Sequence, residues 1–150
     1  CHMSTRTLVI AAFALLSAAC SATAAGPPEI VVDTTACSHC GMLVSEPIYA
    51  AAYQAQGQPP RVFDDIGCLL EALRGEATVP AEVWLQDAGG AGWLDADTAI
   101  FVASTRIPTP MSGGVLAYAA AAAAETAATA HGGRVLRSWQ EVRTWKGEAK

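Results

Sequence analysis

A chain of 150 residues with a net charge of −5, 52% hydrophobic and 15% charged side chains has the material for one domain with a core. A run of alanines inflates the hydrophobic share, and no stripe of basic residues occurs, which excludes nucleic acid as a partner. Neither a Ser-His-Asp set, a phosphate-binding loop nor a carboxylate pair at catalytic spacing is visible, so the chain reads as a non-enzyme.

The first predicted element is an export signal. Cys1-His2 precede Met3 and read as a scar, and Arg6 then leads into the apolar run Leu8 to Leu16. That run is too short to cross a bilayer as a mature helix. Ser17-Ala18-Ala19-Cys20 resembles a lipobox, with lipidation expected at Cys20. Ordinary cleavage after Ala22-Thr23-Ala24 is the alternative. Residues 1–19 are thus the expected signal peptide, and residues 20–32, with Pro27-Pro28, the lipid-anchored tether. No second apolar segment of membrane length follows. The expected location is the periplasmic face of the cell envelope, with the lipid as the sole membrane contact.

Residues 33–150 form the expected domain. Ile48 to Gln54 is rich in small and β-capable residues, and Gly57-Gln58-Pro59-Pro60 turns the chain into a short return strand, Arg61-Val62-Phe63. Asp64 or Asp65 caps a helix with Ile66, Leu69, Leu70 and Leu73 on its apolar face, and Gly75 stops it. Glu82 to Gln86 alternates as a strand, and Asp87 to Gly92 is a glycine-rich loop ending in Trp93-Leu94-Asp95. The order then repeats: strand at Ala99 to Ala103, strand at Val115 to Tyr118, helix at Ala119 to Ala130, strand at Arg134 to Leu136. The fold class this implies is α+β, with two similar ββαβ units in one compact domain. Ser138-Trp139-Gln140-Glu141 has the form of a capping box and starts a last short helix.

Chemistry concentrates in Cys37-Ser38-His39-Cys40-Gly41-Met42, with a third thiol at Cys68. Two thiols, an imidazole and a thioether within six residues are soft donors, suited to Cu(I), Zn(II) or an iron–sulfur centre and ill suited to magnesium or calcium. Three readings stay open. A thiol–disulfide oxidoreductase would use Cys37 and Cys40 with the first cysteine at a helix N-terminus, but Glu46-Pro47 argues against a helix there. A structural zinc module would need four ligands, drawn from Cys37, Cys40, Cys68 and His39 or His131. Cu(I) asks for two or three soft ligands and values a thioether, so copper fits best. Asp64 and Asp65 are hard donors and read as helix caps.

Cys40-Gly41-Met42, followed by Phe63-Asp64-Asp65-Ile66-Gly67-Cys68, resembles the NosL family. The resemblance runs from about Asp33 to Val142 and includes Phe101 to Thr105 and Met111-Ser112-Gly113-Gly114. It implies a lipoprotein Cu(I) chaperone built from a pair of ββαβ units. Cys40 and Met42 would be ligands, and Met111 a contributor from the second half. Cys37 belongs to the variant with a paired cysteine motif, and Cys68 occurs in part of the family. The implied partners are a recipient copper enzyme, nitrous oxide reductase above all, and a copper-exporting or assembly complex in the membrane.

Overall fold

The polypeptide doubles back wherever glycine and proline interrupt it. In the computed structural model, which describes residues 26–77 and 79–146, Pro47–Tyr49 forms one 3₁₀ turn and β1 (Ala51–Gln54) follows. The expected signal peptide, residues 1–19, and Cys20 lie outside the described residues. After the turn at Gly57 to Pro60, β2 (Arg61–Phe63) returns antiparallel to β1, with Ala52 opposite Val62. Asp65 then caps α1 (Ile66–Gly75), its Oδ1 accepting the Cys68 N–H at 2.8 Å. Ile66, Leu69 and Leu70 are buried, as their helical spacing demands. β3 (Glu82–Gln86) pairs with the free edge of β1, Ala52 opposite Trp84.

Trp93-Leu94-Asp95 is a strand rather than the end of a loop. As β4 (Trp93–Asp95) it pairs antiparallel with β3, giving a four-stranded sheet in the order β2-β1-β3-β4. Three residues after a glycine-rich loop carry little strand signal of their own, so pairing with the β3 edge decides the conformation.

The second half repeats the first. β5 (Ile100–Ala103) is central, β6 (Val115–Tyr118) and β7 (Arg134–Leu136) flank it, and the order is β6-β5-β7. Between β6 and β7 lies α2 (Ala121–His131), which ends where Gly132 adopts a φ of 56°. That left-handed residue lets Gly133 donate to the Ala128 carbonyl at 2.7 Å. In both halves the first strand is central and the helix links the second strand to the third. The fold is therefore the α+β pair of ββαβ units expected from the sequence, with β4 added to the first.

One core serves both halves, joining Tyr53, Phe63, Leu69 and Leu85 to Phe101, Leu136 and Val142. Each such large side chain contributes about 1.5–3 kcal/mol by leaving water. Asp87 helps seal the junction: it forms a parallel bridge with Ala117, and its carboxylate accepts the N–H groups of Gly89, Ala91 and Ala119. α3 (Trp139–Thr144) closes the domain, with Ser138 Oγ accepting from Glu141 N and Glu141 Oε2 accepting from Arg137 N. Trp139 packs at 6.0 Å from the Phe101 ring. No helix among the described residues is long and apolar enough to cross a membrane.

Candidate metal centre

The cysteine motif folds as a tight knuckle. Ala36 bridges to Leu43 across it, Cys37 N donates to the Met42 carbonyl at 2.8 Å, and Gly41 N donates to the Cys37 carbonyl at 2.9 Å. Closing this turn places Gly41 at a φ of 77°, a conformation that glycine adopts without a steric penalty. The segment is thus a turn, and Cys37 does not sit at a helix N-terminus as a thioredoxin-like site would require.

The knuckle is docked onto β2 at Ser38, whose N–H donates to the Val62 carbonyl at 2.8 Å. Its carbonyl accepts from Arg61 Nη2 at 3.2 Å. Arg61 is itself held, donating to Glu76 Oε1 at 2.6 Å and to Tyr53 Oη at 2.8 Å. Its guanidinium also lies 5.5 Å from the Tyr53 ring centre and 5.6 Å from that of Phe63. A planar, multiply bonded guanidinium is a stiff support, so the loop is placed by the same strand pair that carries α1.

These placements bring three thiols together. The sulfurs of Cys37 and Cys40, from the knuckle, and of Cys68, from the first turn of α1, all lie within 4.8 Å of one another. Metal–thiolate bonds of about 2.3 Å in a trigonal arrangement place sulfurs about 4 Å apart, so the triangle needs little adjustment to close on an ion. Cys37 and Cys68 are buried, and Cys40 is partly exposed. No histidine or carboxylate joins the three at that spacing among the described residues, so the four-ligand zinc set is not assembled.

The three thiols are not equivalent. Burial pushes the Cys37 thiol up, but N–H groups of the Cys40, Asp64 and His39 backbone and the Cys40 side chain outweigh it and hold the thiol below its ordinary value. Burial pushes Cys68 strongly up, and the neighbouring Cys37 and Cys40 push it further. Without metal Cys37 therefore ionises more readily than Cys68.

Two exposed methionines lie on segments next to these cysteines. Met42, at the end of the knuckle, is 54% exposed and so is no core filler. Met111, 40% exposed, belongs to the loop between β5 and β6. Asp65 draws this loop over α1. Its Oδ2 accepts from Thr109 Oγ1 at 2.7 Å, Met111 N at 3.0 Å and Gly113 N at 3.3 Å, while Oδ1 caps the helix. The approach is so close that a Cβ on Gly67 would stand 2.6 Å from the Gly113 Cα. A cleft of about 420 Å³ results, lined among others by His39, Cys68, Glu71, Arg74, Met111 and Trp145.

Of the residues proposed from sequence, Cys37, Cys40 and Cys68 converge, Met111 shares a cleft with Cys68, and Met42 sits on the exposed end of the knuckle. His39 is exposed and lines the same cleft. His131 closes α2, where its carbonyl accepts from Ser104 Oγ at 3.0 Å. Sequence reasoning did not find the second role of Asp65 or the support given by Arg61. Gly67 directly after a helix start was a usable sign of close backbone approach.

Residues 28–144 match the model of the NosL family. Among curated proteins nothing matches the chain. A solved structure, that of the copper chaperone NosL from Shewanella denitrificans, is similar with a TM-score of 0.66 and 20% identity, covering 77% of this chain and 94% of that one. At that identity the likeness establishes the shared fold.

Proposed function

This chain belongs to the NosL family, and from that premise we propose that it carries one Cu(I) between partners at the cell envelope, held by Cys37, Cys40 and Cys68. Copper is cargo here, and no bond of a substrate is made or broken. The observation that carries the reading is the triangle of sulfurs within 4.8 Å, whose softness and number suit a d¹⁰ monovalent ion. Zinc in a structural site asks for a fourth protein ligand. Three ligands with a cleft beside them leave a side of the ion open to an incoming donor, which is what a carrier requires. The thioethers of Met42 and Met111 are the auxiliary soft donors. Support for copper as the cargo comes also from the solved protein of the same fold, which is described as a copper chaperone.

The recipient is a copper enzyme, nitrous oxide reductase by the family resemblance, and a membrane assembly complex is the source or intermediary. The chain acts on the periplasmic side, tethered through lipid on Cys20. The test is an anaerobic titration of reduced protein with Cu(I) against a competing chelator. One Cu(I) per chain is expected, with affinity lowered at least a hundredfold in Cys40→Ser. Wild-type affinity in that variant would overturn the proposal.

A further inference from the structure

We propose that the cleft beside Cys68 is the door through which Cu(I) enters and leaves, with His39 and Met111 as donors that steady the ion in transit. The inference rests on the copper reading above. Its starting point is the unequal setting of the three sulfurs. Cys37 is only 2% exposed, and its own N–H and carbonyl are both bonded within the knuckle, which makes it the anchoring ligand. Cys68 is equally buried by its own surface, yet it lines a cleft of about 420 Å³. A space of that size admits a side chain together with the backbone that carries it.

The walls of the cleft carry soft donors from separate parts of the chain. His39 comes from the knuckle, Cys68 from α1, and Met111 from the loop of the second half. Two walls of the cleft are tied together, because Asp65 binds the Cys68 N–H with one carboxylate oxygen and the Met111 N–H with the other. A thiolate, thioether or imidazole of a partner thus meets copper between preset walls.

Exchange is a substitution at Cu(I). The incoming donor forms a bond to the ion as the Cu–S bond to Cys68 breaks, and the bonds to Cys40 and Cys37 follow. The freed Cys68 thiolate takes a proton from water, copper remains Cu(I), and no electron moves.

The test measures capture of Cu(I) from the loaded chain by bathocuproine disulfonate, followed by its absorbance. Glu71→Trp and Arg74→Trp each place an indole in the cleft from positions that are not proposed ligands; their mutual ion pair is solvent-exposed. Leu43→Trp, on the exposed knuckle flank beside Met42, is the control. Circular dichroism checks that each variant is folded. The expected result is a capture rate at least tenfold slower in the two cleft variants, at equilibrium affinity within twofold of wild type, and an unchanged rate in Leu43→Trp. Wild-type rates in both cleft variants, or slowing confined to Leu43→Trp, would overturn the door. A wild-type chain that binds no Cu(I) would instead remove the copper reading itself.

Discussion

Replacing Asp65 with alanine removes the residue that joins the two halves at the metal centre. The carboxylate is 1% exposed and accepts four hydrogen bonds, from Cys68 N, Thr109 Oγ1, Met111 N and Gly113 N, at 2.8, 2.7, 3.0 and 3.3 Å. Loss of a helix N-cap costs about 1 kcal/mol. Bonds to a charged acceptor contribute about 1.5–3 kcal/mol each, and donors left buried without a partner add to the loss. Such terms within one network do not add fully. Taking about 1 kcal/mol for the cap and about 3 kcal/mol for the linked bonds of Oδ2 gives a destabilisation of about 4 kcal/mol, a large part of the stability of a domain this size. The assay is urea unfolding of the reduced, metal-free protein. With a slope of about 1.5 kcal/mol per molar, the midpoint falls by about 2.7 M. Asp65→Asn keeps acceptor capacity through its carbonyl oxygen and should lose about half as much. A loss below about 1 kcal/mol in Asp65→Ala would show that the bonds seen at Oδ2 do not hold the Met111 loop, and the argument would fail.

Arg61→Ala should leave the fold intact and lower Cu(I) affinity about tenfold, since the guanidinium supports the knuckle through the Ser38 carbonyl; Arg61→Lys should recover little of it, because an ammonium lacks the planar fork. Competitive titration at matched protein stability reads both. Acid should weaken Cu(I) binding: Cys68 is held protonated at neutral pH by its raised pKa, so its proton must leave as the metal binds. Apparent affinity should therefore rise about tenfold per pH unit between about pH 6 and 8 for each proton released, with the release measured directly by pH-stat. A pH-independent affinity would contradict the participation of Cys68. Gly67→Ala should lower stability by about 1–3 kcal/mol in a thermal melt, since its Cβ meets the Gly113 backbone rather than a movable side chain. An unchanged melting temperature would refute the close packing of the two loops.

Much of the architecture was legible because local signals agreed with the final packing. Pro59-Pro60 marks the reversal, Asp65 and the spacing of Ile66, Leu69 and Leu70 mark α1, and Gly132-Gly133 marks the end of α2. The strand at Trp93 was not legible, because three residues next to glycines become a strand only when the β3 edge is there to pair with. In the metal centre, Cys37 and Cys40 announce themselves by their spacing. A cysteine on an apolar helix face such as Cys68 reads equally well as buried packing. Its part in the cluster depends on the docking of the knuckle on β2 through Ser38 and Val62, just before the start of α1. Asp65 presents the same limit: its helix cap is local, whereas its bond to Thr109 spans 44 positions of sequence.

Whether three cysteine sulfurs close on one copper ion is read by X-ray absorption at the copper edge of the anaerobically loaded protein. The account predicts Cu(I) with three sulfur neighbours at about 2.3 Å and loss of one sulfur in Cys68→Ser. Copper ligated chiefly by nitrogen or oxygen, or a sulfur count that stays the same in Cys68→Ser, would contradict it.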